Sequence, residues 1–107
     1  MMEVAYISGK YRGKTIAEIE ENIALARRAA KKLWKDGYAV ICPHMNTAFL
    51  DGVVADDRFL EADIEILKRC DVVFMLPNWR QSEGAKKERE CAHGRMMPVL
   101  YLSEEEL

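Results

Sequence analysis

The chain reads as a small α/β protein, a doubly wound parallel sheet of four strands in the order 2-1-3-4 with helices on both faces. Three features predict this. Short apolar runs alternate with longer amphipathic segments, giving the pattern βαβαβαβ. The run Val72 to Leu76 is apolar without a break, as a strand buried on both faces must be. Glycine and capping residues stand where helices would begin and end. All 107 residues fit one domain, with no repeat, low-complexity tract or linker.

Val4 to Ser8 is the first strand. Gly9-Lys10-Tyr11-Arg12-Gly13-Lys14 is a loop with two glycines and three cations. Thr15-Ile16-Ala17-Glu18 has the spacing of a capping box and opens the first helix. Ile19, Ile23, Ala26, Ala30 and Leu33 recur along it at helical spacing, and Asp36-Gly37 ends it with glycine in the left-handed position. Tyr38 to Cys42 is the second strand, stopped by Pro43. His44 to Asp57 shows no period and reads as a loop. Phe59, Leu60, Ile64 and Leu67 mark the second helix, which ends near Arg69. The third strand, Asp71 to Leu76, runs through a short polar loop into a helix from Ser82, a good N-cap, to about Gly94. Met97 to Leu102 is the fourth strand and Ser103 to Leu107 an acidic tail.

Composition narrows the functional classes. A net charge of −2 gives no reason to expect a nucleic-acid surface or an anionic membrane partner. No apolar run approaches the ~20 residues of a membrane span. The N-terminus lacks the pattern of a secretory signal. Three widely spaced cysteines make no disulfide framework and read as reduced thiols, so the expected location is the cytoplasm.

Two acids stand out. Glu88 has Gly84 and Ala85 one turn before it and Cys91 and Ala92 one turn after, so it lies in a small, apolar stripe. Glu90, flanked at the same offsets by Lys86, Lys87, His93 and Gly94, faces solvent. Asp63 repeats the oddity among Phe59, Leu60, Ile66 and Leu67, where it either caps a backbone N–H or serves a site. With strands 1 and 3 adjacent, both acids can project into the crevice at the carboxyl ends of the strands.

The first loop, Ser8 to Gly13, joins a strand end to a helix N-terminus. It is either a tight turn with two solvated cations or an anion site built with Lys10 and Arg12. Its spacing fits neither a dinucleotide fingerprint nor a P-loop. Tyr6, within the first strand, packs its ring and needs a partner for its hydroxyl. Trp79 is a lid on a ligand, stacking on a base, or a cover for the core. His44, His93, Cys42 and Cys91 form no metal-ligand pattern, and no metal or cofactor is expected. A flavin reading would need a hydroxyl-rich first loop, which is absent.

Taken together, Ala5-Tyr6-Ile7-Ser8-Gly9 with Arg12-Gly13, Asp63 eight positions before Asp71, and Ser82-x-Gly84-Ala85-x-x-Glu88-x-x-x-Ala92 resemble the nucleoside 2-deoxyribosyltransferase-like superfamily over nearly the whole chain. The nearest in style are its short phage and bacterial members and its 2′-deoxynucleoside 5′-phosphate N-hydrolases. The resemblance implies a flavodoxin-like fold with Glu88 as nucleophile, Tyr6 orienting it and Asp63 at the nucleoside site. It implies a phosphate held by Ser82 and Arg12-Gly13, as in the hydrolases; the transferases have aspartate at the position of Ser82. The sequence departs from the family's frequent Glu-Leu-Gly with Glu88-Arg89-Glu90.

The expectation is an enzyme that cleaves, or exchanges the base of, a nucleoside or deoxynucleoside 5′-monophosphate through a glycosyl-Glu88 intermediate. Ser8, Gly9, Arg12, Gly13, Trp79, Ser82 and Gly84 are expected to bind the substrate. The alternative is a module that binds a nucleotide or nucleotide-sugar without turnover. A homodimer or higher homo-oligomer is expected, because a four-stranded sheet buries a modest core and family members pair through helices near the site.

Overall fold

Alternation along β1 (Val4–Ser8) and β3 (Val72–Met75) sets the architecture. Successive side chains of a strand point to opposite faces. Ala5, Ile7, Val72, Phe74 and Leu76 therefore turn one way, and Tyr6, Val73 and Met75 the other. A computed structural model describes residues 1–107. Its sheet is parallel throughout, in the order β2-β1-β3-β4, with β2 at Ala39–Ile41 and β4 at Val99–Tyr101. The register pairs Tyr6 with Ile41 on one side and Val73 on the other, so β1 and β3 are central and β3 is buried along its length. The fold is flavodoxin-like, as the sequence predicts.

Helix α1 (Ile16–Lys35) covers the first face with Ala26, Ala29, Ala30 and Leu33. Its alanine-rich stripe lets the helix lie close to the sheet. Thr15 caps it, accepting from the Glu18 N–H at 3.1 Å. Only half of the expected capping box forms: the Glu18 carboxylate reaches past Thr15 to the N–H of Lys14. Gly37, at φ 99°, turns the chain back into β2. Helices α3 (Asp56–Leu67) and α4 (Glu83–Gly94) cover the second face through Leu67, Ala85 and Ala92.

The differences from expectation lie at the ends and in short elements. α3 begins at Asp56, ahead of the first apolar landmark at Phe59. β2 and β4 are shorter than their apolar runs, although a ladder-type bond continues beyond β4, from Leu102 N–H to the Met75 carbonyl, and another ties the first residue of β2, Ala39, to the Glu3 carbonyl just ahead of β1. The segment read as a loop from His44 holds a one-turn helix, α2 (Pro43–Asn46), with proline at its first position. One turn is too short to show a hydrophobic period. Single 3₁₀ turns occur at Trp79–Gln81 and Glu104–Glu106. No helix is long and apolar enough to cross a membrane.

Candidate active site

The carboxyl ends of β1 and β3 open into a cavity of about 540 Å³, within the range of small-molecule sites. Its walls come from the loop after β1, α2, the start of α3 and the first turns of α4. This is the switch point where the chain leaves β1 in one direction and β3 in the other.

Glu88 lies at the floor, 6% exposed. The stripe of small residues around it lets α4 sit against the sheet, so the carboxylate reaches two side chains of β1. Tyr6 donates its hydroxyl to Oε2, and Ser8 donates Oγ–H to Oε1 at 2.6 Å. Tyr6 and Ser8 are two apart on one strand and so share the face that α4 covers. Burial pushes the Glu88 carboxyl up from 4.5 to about 7. The Ser8 and Tyr6 hydroxyls pull against that shift, and the nearby charge of Asp63 adds to it. Burial first, and then the Glu88 charge, hold the Tyr6 phenol well above its ordinary range, so it stays a donor.

Asp63 joins Glu88 in the cavity wall. Its carboxyl rises to about 6 because it is half-buried. It caps no backbone N–H, which removes the bland explanation weighed for it. Ser82 caps α4, accepting from the Ala85 N–H at 3.0 Å, and also lines the cavity. Gly84 lines it one turn before Glu88, where an added Cβ would meet nothing closer than Leu60 Cδ1 at 3.6 Å.

Other residues singled out from the sequence sit differently. Gly9 reaches the cavity, but a Cβ there would lie 2.5 Å from Leu76 Cδ1, so packing alone requires glycine. Gly13 lies outside the cavity; its Cβ would fall 2.4 Å from that of Glu18. The Ser8 hydroxyl serves Glu88 rather than the open cavity. Arg12 lines the rim but is paired, with Asp56 at 2.5 Å and Asp51 at 3.9 Å. Trp79 is no lid: it packs at the margin of the core, its ring 5.9 Å from that of Tyr101, with the Arg89 and Arg80 guanidinium groups over it. The 3₁₀ turn at Trp79–Gln81 carries its ring toward β4 and away from the crevice.

The sequence reading missed His44, Thr47, Asp51, Asp56 and Asp57 as cavity residues. His44 is buried, with Nε2 3.0 Å from the Lys10 carbonyl oxygen. That contact makes Nε2 the donor and leaves Nδ1 bare, the one buried side-chain nitrogen or oxygen without a partner. Burial lowers its pKa, so the ring is neutral. Pro43, which fixes the entry to α2 beside a strand end, was the available signal. Cys42, Cys70 and Cys91 are free, and no three ligand-type side chains are grouped to hold a metal.

The arrangement can do two things. It can hold a ligand of nucleoside size, and it can present a carboxylate, oriented through both oxygens, to an electron-poor carbon. No curated protein matches the chain. Residues 3–101 match the model of DUF4406, a domain of unknown function, and the chain belongs to that family.

Proposed function

We propose that the protein cleaves the N-glycosidic bond of a nucleoside or deoxynucleoside 5′-monophosphate, or exchanges its base. The observation that carries this reading is Glu88, buried at the cavity floor with a hydroxyl on each carboxylate oxygen. As the C1′–N bond breaks, its electron pair leaves with the base, and positive charge develops on the sugar. A carboxylate stabilises that oxocarbenium-like state and then bonds to C1′. Water attacking C1′ releases the sugar and restores Glu88; a second base doing so gives exchange. Tyr6 and Ser8 fix the direction of the attacking oxygen, and Asp63 positions the nucleoside.

The pKa of about 7 at Glu88 bears on the rate. Only the ionised form can bond to C1′, so cleavage rises through neutral pH and levels off above it. The same value favours the second reading. A raised pKa leaves part of the Glu88 population protonated near neutrality, which suits a module that binds a nucleotide without turnover.

Incubation with deoxynucleosides and their monophosphates, with detection of free base, separates the two. An activated 2-fluoro nucleoside should add the mass of its sugar to the peptide holding Glu88. A label on Asp63 rejects the assignment, and no cleavage of any nucleoside or nucleotide leaves the binding module.

A further inference from the structure

The sheet has an open edge at β4. Val73 N–H donates to the Pro98 carbonyl and Leu102 N–H to the Met75 carbonyl, so Pro98, Leu100 and Leu102 turn their backbone groups toward β3. Alternate residues turn theirs the other way. Val99 and Tyr101 therefore point two N–H groups and two carbonyls outward, on the side where no further strand pairs. Leu100 and Tyr101 are 46% and 48% exposed. Apart from its shortness, the edge has none of the usual guards against strand pairing. Val99, Leu100 and Tyr101 carry no charge and pair with β3 without a bulge, and the missing N–H of Pro98 falls on the β3 side rather than the open side.

Beside this edge lies a cluster that the cavity does not use. Tyr101 and Val99 are two apart on β4 and so share the α4 side of the sheet. Arg89, on α4, donates Nε–H to the Tyr101 hydroxyl at 2.6 Å. The Arg89 guanidinium lies 4.8 Å from the centre of the Trp79 ring, and that of Arg80 lies 5.0 Å from the same ring. Stacking on the ring holds both planar groups in place. Neither arginine has a carboxylate partner, although six other ion pairs form in the chain. Two oriented cations thus stand unpaired next to unpaired backbone groups.

Both features fit one kind of partner. An extended chain added to β4 as a fifth strand would satisfy the outward groups of Val99 and Tyr101. Every second side chain of that strand would lie on the α4 side, next to Tyr101 and the arginine that caps it. A guanidinium takes a carboxylate through two parallel N–H bonds, so acidic side chains at those positions complement Arg89 and Arg80. Basic ones would meet like charge. We propose that the β4 edge binds an extended acidic segment of another protein by strand addition, with Arg89 and Arg80 receiving its carboxylates. None of Trp79, Arg80, Arg89, Val99 and Tyr101 lines the cavity, so the surface is separate from Glu88 and its chemistry.

The probe is a short blocked peptide that alternates valine with glutamate, titrated into the protein and followed by amide NMR. At saturation the Val99 and Tyr101 N–H groups should exchange at least roughly tenfold more slowly, because they gain partners. Leu100, whose N–H already faces β3, should not change. Replacing the glutamates of the peptide by lysine should weaken binding by at least about tenfold, the scale of one charge-assisted hydrogen bond. The double variant Arg80→Gln, Arg89→Gln should lose the glutamate peptide to the same extent, while Lys14→Gln, in the basic loop after β1, should bind as the wild type does. Equal binding of the two peptides overturns the proposal. So does binding that leaves Val99 and Tyr101 unprotected, a double variant of full affinity, or no binding at all. Protection of the same two amides that grows with protein concentration, without peptide, would show that a second copy of the chain fills the edge, and it overturns the proposal too.

Discussion

On the α1 side of the sheet, Ala5, Ile7, Phe74 and Leu76 meet Ala26, Ala30 and Leu33, and no charged group enters the cluster. On the other side, Tyr6, Val73 and Met75 meet Leu67, Ala85 and Ala92, and a glutamate is buried with them. The same two strands supply both faces through alternate residues. The α1 face is packed to hold the fold. The α3–α4 face gives up part of that packing to keep an ionisable group beside a cavity, and burial there raises the Glu88 pKa. Stability and chemistry are thus divided between odd and even positions of β1.

The sharpest test of that division is Glu88→Gln. The amide keeps the shape but cannot bond to C1′, so cleavage should fall at least roughly a thousandfold. Its effect on stability should have the opposite sign. The folded pKa lies above the ordinary 4.5, so the native state holds the proton longer than the unfolded chain. The Glu88 contribution is complete below pH 4.5 and is lost as the pH rises through about 7. The shift amounts to about 3 kcal/mol by linkage. Denaturant unfolding at pH 5 and pH 8 should show the wild type losing more stability, or gaining less, over this interval than Glu88→Gln, since Asp63 and His44, which act in opposite directions, contribute alike to both proteins. Equal changes in the two proteins would break the comparison.

The opposite face supplies the contrast. Leu33 is 1% exposed in the apolar cluster. Leu33→Ala should cost about 3 kcal/mol through lost transfer energy and the cavity left behind. Because no charged group enters its cluster, that cost should be the same at pH 5 and pH 8. Ligand affinity measured well below the unfolding transition should be unchanged. A pH-dependent cost would show that the two faces are coupled.

The faces were not equally legible in the sequence. The α1 face followed from hydrophobic period and capping residues, because a packed face leaves a regular pattern. On the other face, the inward aim of Glu88 and Asp63 followed from the residues one turn away. The partners at the rim did not. Arg12, Asp51 and Asp56 are brought together by a turn through left-handed Phe49, and that residue gives no warning of such a conformation. Trp79 misled for the same reason: which way an aromatic in a short turn points is decided by packing against Tyr101, which is 22 positions away in the chain. His44 was visible as a residue, but one helical turn after a proline carries no periodicity to aim it.

The smallest effect tests whether the cavity face gives up stability at its edge as well as at its floor. Gly84 lies in the first turn of α4, where glycine is poorer than alanine by roughly 1 kcal/mol in helical propensity. The protein gives no steric reason for it. An added methyl would sit 3.6 Å from Leu60 Cδ1 and 3.8 Å from Ser82 Oγ, both ordinary contacts. Gly9 is the useful contrast, since Leu76 would clash with any side chain there. The free space at Gly84 opens onto the cavity beside the helix N-terminus, where backbone N–H groups lack helical partners and favour an anion. Gly84→Ala should therefore raise stability by roughly 0.5–1 kcal/mol. It should also weaken binding of a ligand that approaches the helix end. Thermal unfolding with and without a nucleoside monophosphate measures both, since a ligand that binds only the folded state adds to stability in proportion to its affinity. A more stable protein with a smaller ligand-induced shift places the ligand against α4. A more stable protein with an undiminished shift places it elsewhere in the cavity and leaves the glycine without a role.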